Sequence, residues 1–296
     1  MQEDPFLFID AHHHLWDLQA CHYPWLMAQG VERFFGDPSP IQKNYLPADF
    51  LSESSQYQPT KSVHIQVGVS EEDEVRETQW LQQLGKVPAA IVAAADLANP
   101  SLSSRLEAHQ ACNKLRGIRQ IIGRHAIEDK NHGSDALLED KGFRRGLELL
   151  IEKRLSFDLQ MIPPQMSRVI TLLRELPELR VALCHCGSPW DQSAEGLESW
   201  RRGLAAIAEL PNVYCKISGL GMFNRNWAPR DLEPVILSVI DIFGPERTMF
   251  GSNFPVDKLY NCYEALWRTY EDTTQRFTQQ ERTQMFVSTA EDFYNI

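Results

Sequence analysis

Eight short apolar runs, each followed by a stretch with helical spacing, recur along this chain, and that alternation restricts its fold more than any other feature. The runs are Leu7–Ala11, Ser62–Gly68, Ala89–Leu97, Leu115–Ile121, Leu155–Met161, Arg180–Cys186, Asn212–Ser218 and Thr248–Phe254. They are apolar almost throughout, as strands of a parallel sheet covered on both faces are. Between them Met166, Val169, Ile170, Leu173 and Leu176 form a helical stripe; Leu197, Trp200, Leu204 and Ile207 form another, and Leu232, Val235, Ile236, Val239, Ile240 and Phe243 a third. Ser70-x-x-Asp73 and Thr278-x-x-Glu281 read as capping boxes that open helices. Eight βα units in 296 residues predict one domain, residues 1–296, folded as a (β/α)8 TIM barrel. No G-x-G-x-x-G follows the first run, which argues against a dinucleotide fold.

The first βα connection distorts this scheme. Roughly 45 residues, Asp17 to Lys61, join the first two runs. They carry Tyr23-Pro24-Trp25-Leu26 and the pair Phe34-Phe35, so the segment is expected to be a lid or pocket wall, with Trp25 against the substrate.

Composition removes several function classes. The net charge of -11 argues against nucleic acid and acidic membranes as partners, because binding phosphates needs an excess of Lys and Arg. The start of the chain, Met1-Gln-Glu-Asp-Pro5, is acidic where a secretory signal is basic, and no run reaches membrane-spanning length. Six cysteines without a C-x-x-C pair read as reduced thiols, so a cytoplasmic protein is expected. The expected partner is a small molecule, anionic or polyol. Nothing in the sequence excludes a homo-oligomer.

In such barrels functional groups gather at the C-terminal ends of strands. The first run ends in Asp10-Ala-His12-His13-His14, and period two places Asp10, His12 and His14 on one face. Two inward imidazoles can hold one divalent metal, and His185 at the end of the sixth run stands where a third ligand would converge. Cys184 and Cys186 flank His185 but have the opposite parity, which predicts packing. The orientation of His13 is left open. Arg119 and Arg124, at and after the fourth run, suit a substrate carboxylate or polyol. Gln66, Lys216 and Ser218 add hydrogen-bonding capacity, whereas His64 lies deeper and is expected to pack. His22, His109, His125 and His132 receive no role, although His125 lies beside Arg124.

These motifs, taken in order, resemble the amidohydrolase superfamily, and within it the amidohydrolase-2 group that contains sugar-lactone and 2-pyrone-4,6-dicarboxylate lactonases. The resemblance rests on Ile9-Asp-Ala-His-His-His-Leu-Trp-Asp17, Tyr23-Pro-Trp-Leu26, Gly117-Ile-Arg119, Cys184-His-Cys-Gly-Ser-Pro189, Asn212-Val-Tyr-Cys-Lys-Ile-Ser-Gly219 and Met249-Phe-Gly-Ser-Asn-Phe-Pro255. It implies a hydrolase opening a lactone by water attack. A metal-dependent decarboxylase and a non-catalytic barrel that binds a small acid are the alternatives. It also implies a carboxylate at the end of strand eight, serving as metal ligand or general base, where this chain has Asn253. An amide cannot take a proton at working pH. One divalent metal, zinc or manganese, is therefore expected to bind His12, His14 and His185 weakly or not at all. The base must come from elsewhere: Asp257, Asp158 and Asp96 are the candidates, Asp257 first.

Overall fold

In a computed structural model, which describes residues 6–125, 128 and 134–296, the eight runs pair as one parallel sheet in sequence order. The strands are β1 Ile9–His13, β2 Lys61–Ile65, β3 Ala90–Ala94, β4 Leu115–Ile121, β5 Ser156–Gln160, β6 Val181–Leu183, β7 Val213–Ile217 and β8 Thr248–Phe250. After β8 the chain closes onto β1: Asn253 N donates to His12 O (2.7 Å) and His14 N to Phe254 O (2.8 Å). The result is a (β/α)8 barrel, as the alternation predicts. His132 and residues 1–5 lie outside the described residues.

Twelve helices accompany the strands among the described residues: α1 Pro24–Met27, α2 Pro47–Glu53, α3 Glu74–Gln82, α4 Leu102–Gln110, α5 Ser134–Glu139, α6 Lys141–Glu152, α7 Met166–Arg174, α8 Ala194–Ala208, α9 Pro229–Phe243, α10 Tyr263–Thr273, α11 Gln279–Thr283 and α12 Thr289–Tyr294. The three apolar stripes fall on α7, α8 and α9, except that Leu176 lies just past α7, and all their residues but the half-buried Leu197 are buried. Thr278 caps α11 through the expected box with Glu281. Ser70 does not cap; Asp73 instead accepts from His22 N (2.8 Å) and ties the long first loop to the helix region. None of the helices among the described residues is long and apolar enough to cross a membrane.

Two apolar layers result. Ile9, Ala11, Val63, Ile65, Ala90, Val92, Ala182 and Met249 fill the barrel interior, plugged below by Ala290, Phe293 and Tyr294 from the end of the chain. A larger cluster lies between the barrel wall and the helices. All six cysteines are free, and five are buried, Cys184 and Cys186 among them.

Six strands end before their apolar runs do, and in two of them, β6 and β8, the chain then turns left-handed at non-glycine residues. Past Leu183 the backbone turns left-handed at His185, Cys186, Gly187 and Ser188, with φ between 53° and 66°. Past Phe250 it does so at Asn253 (φ 57°). Asn is among the few non-glycine residues that tolerate this region, because its short polar side chain can bond locally. Both departures occur where the chain delivers a polar side chain to the top of the barrel.

Candidate active site

His12 and His14 both enter the barrel, but not through simple alternation. The β1–β2 register shifts between Asp10 and His13. Ile9 and Ala11 point inward, so Asp10 points outward, where its carboxylate accepts from Tyr263 Oη (2.9 Å), Ser252 N (2.9 Å) and His12 N (3.2 Å). The bulge adds a residue, and His12 follows Ala11 to the inside. Asp10 therefore does not share the histidine face, contrary to the period-two expectation. His13 points out and stacks on Phe50 (4.2 Å between centroids). His64 packs, its Nδ1 accepting from Leu15 N (3.1 Å).

The left-handed turn after β6 swings His185 over the same centre. Its ring lies 4.5 Å from that of His12, which lies 5.1 Å from that of His14. Gly219 (φ 64°) makes room, since a Cβ there would stand 2.5 Å from His185 Nδ1. Arg119 places Nη2 3.4 Å from His185 Nε2; a guanidinium only donates, so Nε2 carries the lone pair and Nδ1–H donates to Ser218 Oγ (3.0 Å). Burial first, then the Arg119 charge, hold His185 well below the usual histidine range. His12 is held likewise, by burial and then by the Lys216 charge, and both its ring nitrogens are buried without a partner.

His14 Nδ1 lies 2.7 Å from Ile65 O, which can only accept, so Nδ1 carries a proton. Its Nε2 lies 3.0 Å from Asn253 Oδ1, and Asn253 Nδ2 donates to Asp257 Oδ2 (2.5 Å). The other Asp257 oxygen accepts from Gly221 N (3.0 Å). Burial raises Asp257 to about 7 and lowers His14 to about 3. Two proton arrangements satisfy this chain. An ionised Asp257 takes the amide N–H while Asn253 Oδ1 faces His14; a protonated Asp257 donates to the amide oxygen while the turned amide N–H donates to a neutral His14. Asp257 thus stands behind Asn253, outside the cavity wall.

Asp158 and Lys216 are fully buried and form an ion pair with each other; Tyr294 Oη also donates to Asp158 (2.8 Å). Neither lines the cavity, so the structure does not bring the expected base Asp158 or the expected donor Lys216 to its surface. A buried charge without such a partner would be strongly unfavourable, and that need outweighs the strand-end parity. Asp96 is also removed from the site: its Oδ1 accepts from Ala98 N (3.0 Å) and Gln120 Nε2 (3.2 Å). Gln66 does not line the cavity; its carbonyl accepts from Arg119 Nη1 (2.7 Å) and holds the guanidinium, whose Nη2 also donates to Gln160 Oε1.

The cavity above these groups measures about 270 Å³ and is lined by His14, Arg119, Arg124, His185 and Asn253 below and by Trp25, Arg33, Phe34 and Phe35 of the long loop above. The loop therefore forms a wall of the cavity. Its tip is tied to three other loops. Arg33 pairs with Glu128 through two bonds (2.8 and 2.7 Å), Arg225 Nη2 donates to Phe34 O (2.6 Å) and Tyr260 Oη to Phe35 O (2.6 Å). His125 stacks on Phe34 (5.5 Å). The residue pattern does not single out Arg33, Glu128 or Gly219; only the adjacency of Arg33 to the aromatic pair hints at the first.

Of the three histidines, His12 alone has both ring nitrogens without a partner and could offer one to a metal as the side chains stand. His14 Nδ1 and His185 Nδ1 are engaged, His14 Nε2 faces Asn253 Oδ1, and Arg119 occupies the approach to His185 Nε2. The strand-eight group is a neutral amide, and among the described residues no three His, Cys, Asp or Glu side chains converge to hold an ion.

The model of the family described as amidohydrolase matches residues 9–296. The chain is 37% identical to the uncharacterised protein y4mH of Sinorhizobium fredii, covering 97% of this chain and 98% of that one. It is 30% identical to an L-fucono-1,5-lactonase of Burkholderia multivorans, covering 97% and 96%. A crystal structure of an amidohydrolase from Burkholderia multivorans with bound zinc superposes with a TM-score of 0.84 at 27% identity, covering 98% of this chain and 99% of that one.

Proposed function

This chain belongs to the amidohydrolase family, and from that premise we propose that it opens a lactone, the cyclic ester of a sugar acid or small carboxylated ring, by water attack. The observation that carries this reading is the His14–Asn253–Asp257 chain at the floor of a small cavity. When Asp257 is ionised and His14 neutral, Asn253 Oδ1 and His14 Nε2 present lone pairs to each other across 3.0 Å. A water on the cavity side of the pair, donating one O–H to each, satisfies both. As its oxygen attacks the lactone carbonyl, His14 Nε2 takes the proton. Asn253 Oδ1 accepts the new N–H, and the Asp257 carboxylate offsets the imidazolium charge through the amide.

Arg119 is the donor for the carbonyl oxygen, fixed by Gln66 and Gln160 so that little reorganisation accompanies the developing charge. Collapse of the tetrahedral intermediate breaks the ring C–O bond, and His14 returns its proton to the leaving alkoxide. His185, neutral, completes the polar floor, and His12 lies buried beneath it, outside the cavity lining. Arg124 and Arg33 face the acid or hydroxyl groups of the substrate, and Trp25, Phe34 and Phe35 cover the ring. A lactone is an activated ester, so an arginine and a base suffice without a Lewis acid. The lactonase relative favours a six-membered sugar-acid lactone. Any metal binds weakly, which disfavours the decarboxylase reading.

The test is hydrolysis of a panel of sugar-acid lactones by chelator-treated protein, with His14→Ala as control. Turnover lost in the variant supports the reading. No turnover of any lactone leaves the non-catalytic binding barrel.

A further inference from the structure

A second cavity, about 700 Å³ in volume, opens at the opposite, N-terminal end of the barrel, where β4, β5 and β6 begin and the chain ends. In a chain with net charge -11 it is lined by Arg116, Lys153, Arg154 and Arg180 against one acidic residue, Glu178. Lys153 is paired with Glu107 (3.5 Å). Among the described residues none of the three arginines has a carboxylate partner. Arg116 donates only to main-chain carbonyls, of Asn113 (2.6 Å), Leu115 (2.8 Å) and Asn295 (3.2 Å). Arg180 donates to Asp292 O (2.7 Å) and stacks on Phe293 (4.8 Å). Arg154 is exposed and sits in the left-handed region (φ 55°).

In an acidic protein a carboxylate is the readily available partner for an arginine, and 11 other arginines among the described residues have one: Arg33, Arg76, Arg105, Arg144, Arg168, Arg174, Arg202, Arg230, Arg268, Arg276 and Arg282. Three forks left without one around a single concavity repel one another unless an anion joins them. We propose that this cavity binds a small, multiply charged oxyanion, phosphoryl or polycarboxylate, held by Arg116, Arg154 and Arg180. Guanidinium forks match the oxygens of both groups. A half-open concavity of this volume admits a small molecule. The site is independent of the reaction proposed above, because it lies at the other end of the barrel.

The test is a thermal-shift titration of the full chain with inorganic pyrophosphate and with citrate, the ionic strength held constant with sodium chloride. Either anion is expected to give a saturable rise of roughly 3 °C. Arg154→Gln with Arg180→Gln, both at exposed positions without ion pairs, weakens the response at least tenfold; Arg154→Gln alone, which touches no packing, weakens it in the same direction. Arg124→Ala, in the upper cavity, leaves it intact. Pyrophosphate preferred over citrate identifies a phosphoryl ligand, and the reverse a polycarboxylate. No saturable response to either anion overturns the proposal. So does a response that survives the lower substitutions and disappears with Arg124→Ala.

Discussion

Asn253 donates its amide N–H to Asp257 across 2.5 Å, so the neutral residue at the end of strand eight is tied to a buried carboxylate four positions on. Its other amide atom faces His14 at 3.0 Å. The carboxylate that the family pattern puts in the cavity wall is thereby moved one residue back, and its charge reaches the imidazole through an amide.

Replacing Asn253 by Asp sets two carboxylates against each other in a buried site, where they must share a proton. Lactone turnover is expected to fall at least tenfold, because the shared proton removes the acceptor for His14. Zinc content should rise toward one per chain, since an anionic donor now joins the imidazoles. Kinetics and metal analysis of the purified variant check both; higher turnover without metal would contradict the relay.

Arg119→Ala removes the donor for the carbonyl oxygen. About a 10²–10³-fold loss, chiefly in kcat, is expected, the usual cost of losing one such donor. Arg124→Ala is expected to raise KM more than it lowers kcat, and most for carboxylated substrates. Steady-state kinetics on one neutral and one anionic lactone separate the two roles.

Gly219→Ala would bring a Cβ within 2.5 Å of His185 Nδ1 and place a side chain at φ 64°. Displacement of the ring frees Arg119 from its partner, and turnover should drop about 10²-fold. A crystal structure of the variant should show the ring moved; an unmoved ring with unchanged activity would sink this assignment.

Stability should peak near neutral pH. Six buried histidines, His12, His13, His14, His64, His109 and His185, have lowered pKa values, so they stay neutral when folded and take protons when unfolded. Their contribution is lost as pH falls below about 6.5. Asp10, Asp257 and Glu77 are raised by burial to about 6, 7 and 8, so the folded state holds their protons and loses stability as pH rises through those values. Below pH 6 the six histidines outnumber the three acids. Tm measured from pH 4.5 to 9 should therefore climb steeply to about pH 6.5 and decline more gently to about pH 8. A Tm that keeps rising into alkaline pH would contradict it.

The eight strands were legible in the sequence because each follows from a run of apolar residues, and the polar residues at the run ends include His12, His14 and His185, whose rings the structure brings near one another. The departures have two causes that residue pattern does not encode: local backbone geometry and side-chain pairing across the barrel. The bulge in β1 turned Asp10 away from the histidines. The buried ion pair took Asp158 and Lys216 out of the site, a partnership between strands five and seven that only the closed barrel reveals. Asp257 was legible as a carboxylate near Asn253, but its place behind the amide depends on the left-handed turn at 253.

The central claim is lactone opening with His14 as base, supported by Asp257 through Asn253. It is tested most directly by kcat/KM for a sugar-acid 1,5-lactone, measured on chelator-treated protein between pH 5.5 and 8.5, for the native chain and for Asp257→Asn. The account predicts a native rate that rises with an apparent pKa of about 7, as Asp257 ionises, and a variant at least 10²-fold slower and flat with pH. A native enzyme that turns over no lactone without added metal, or a variant that matches it at every pH, would contradict it.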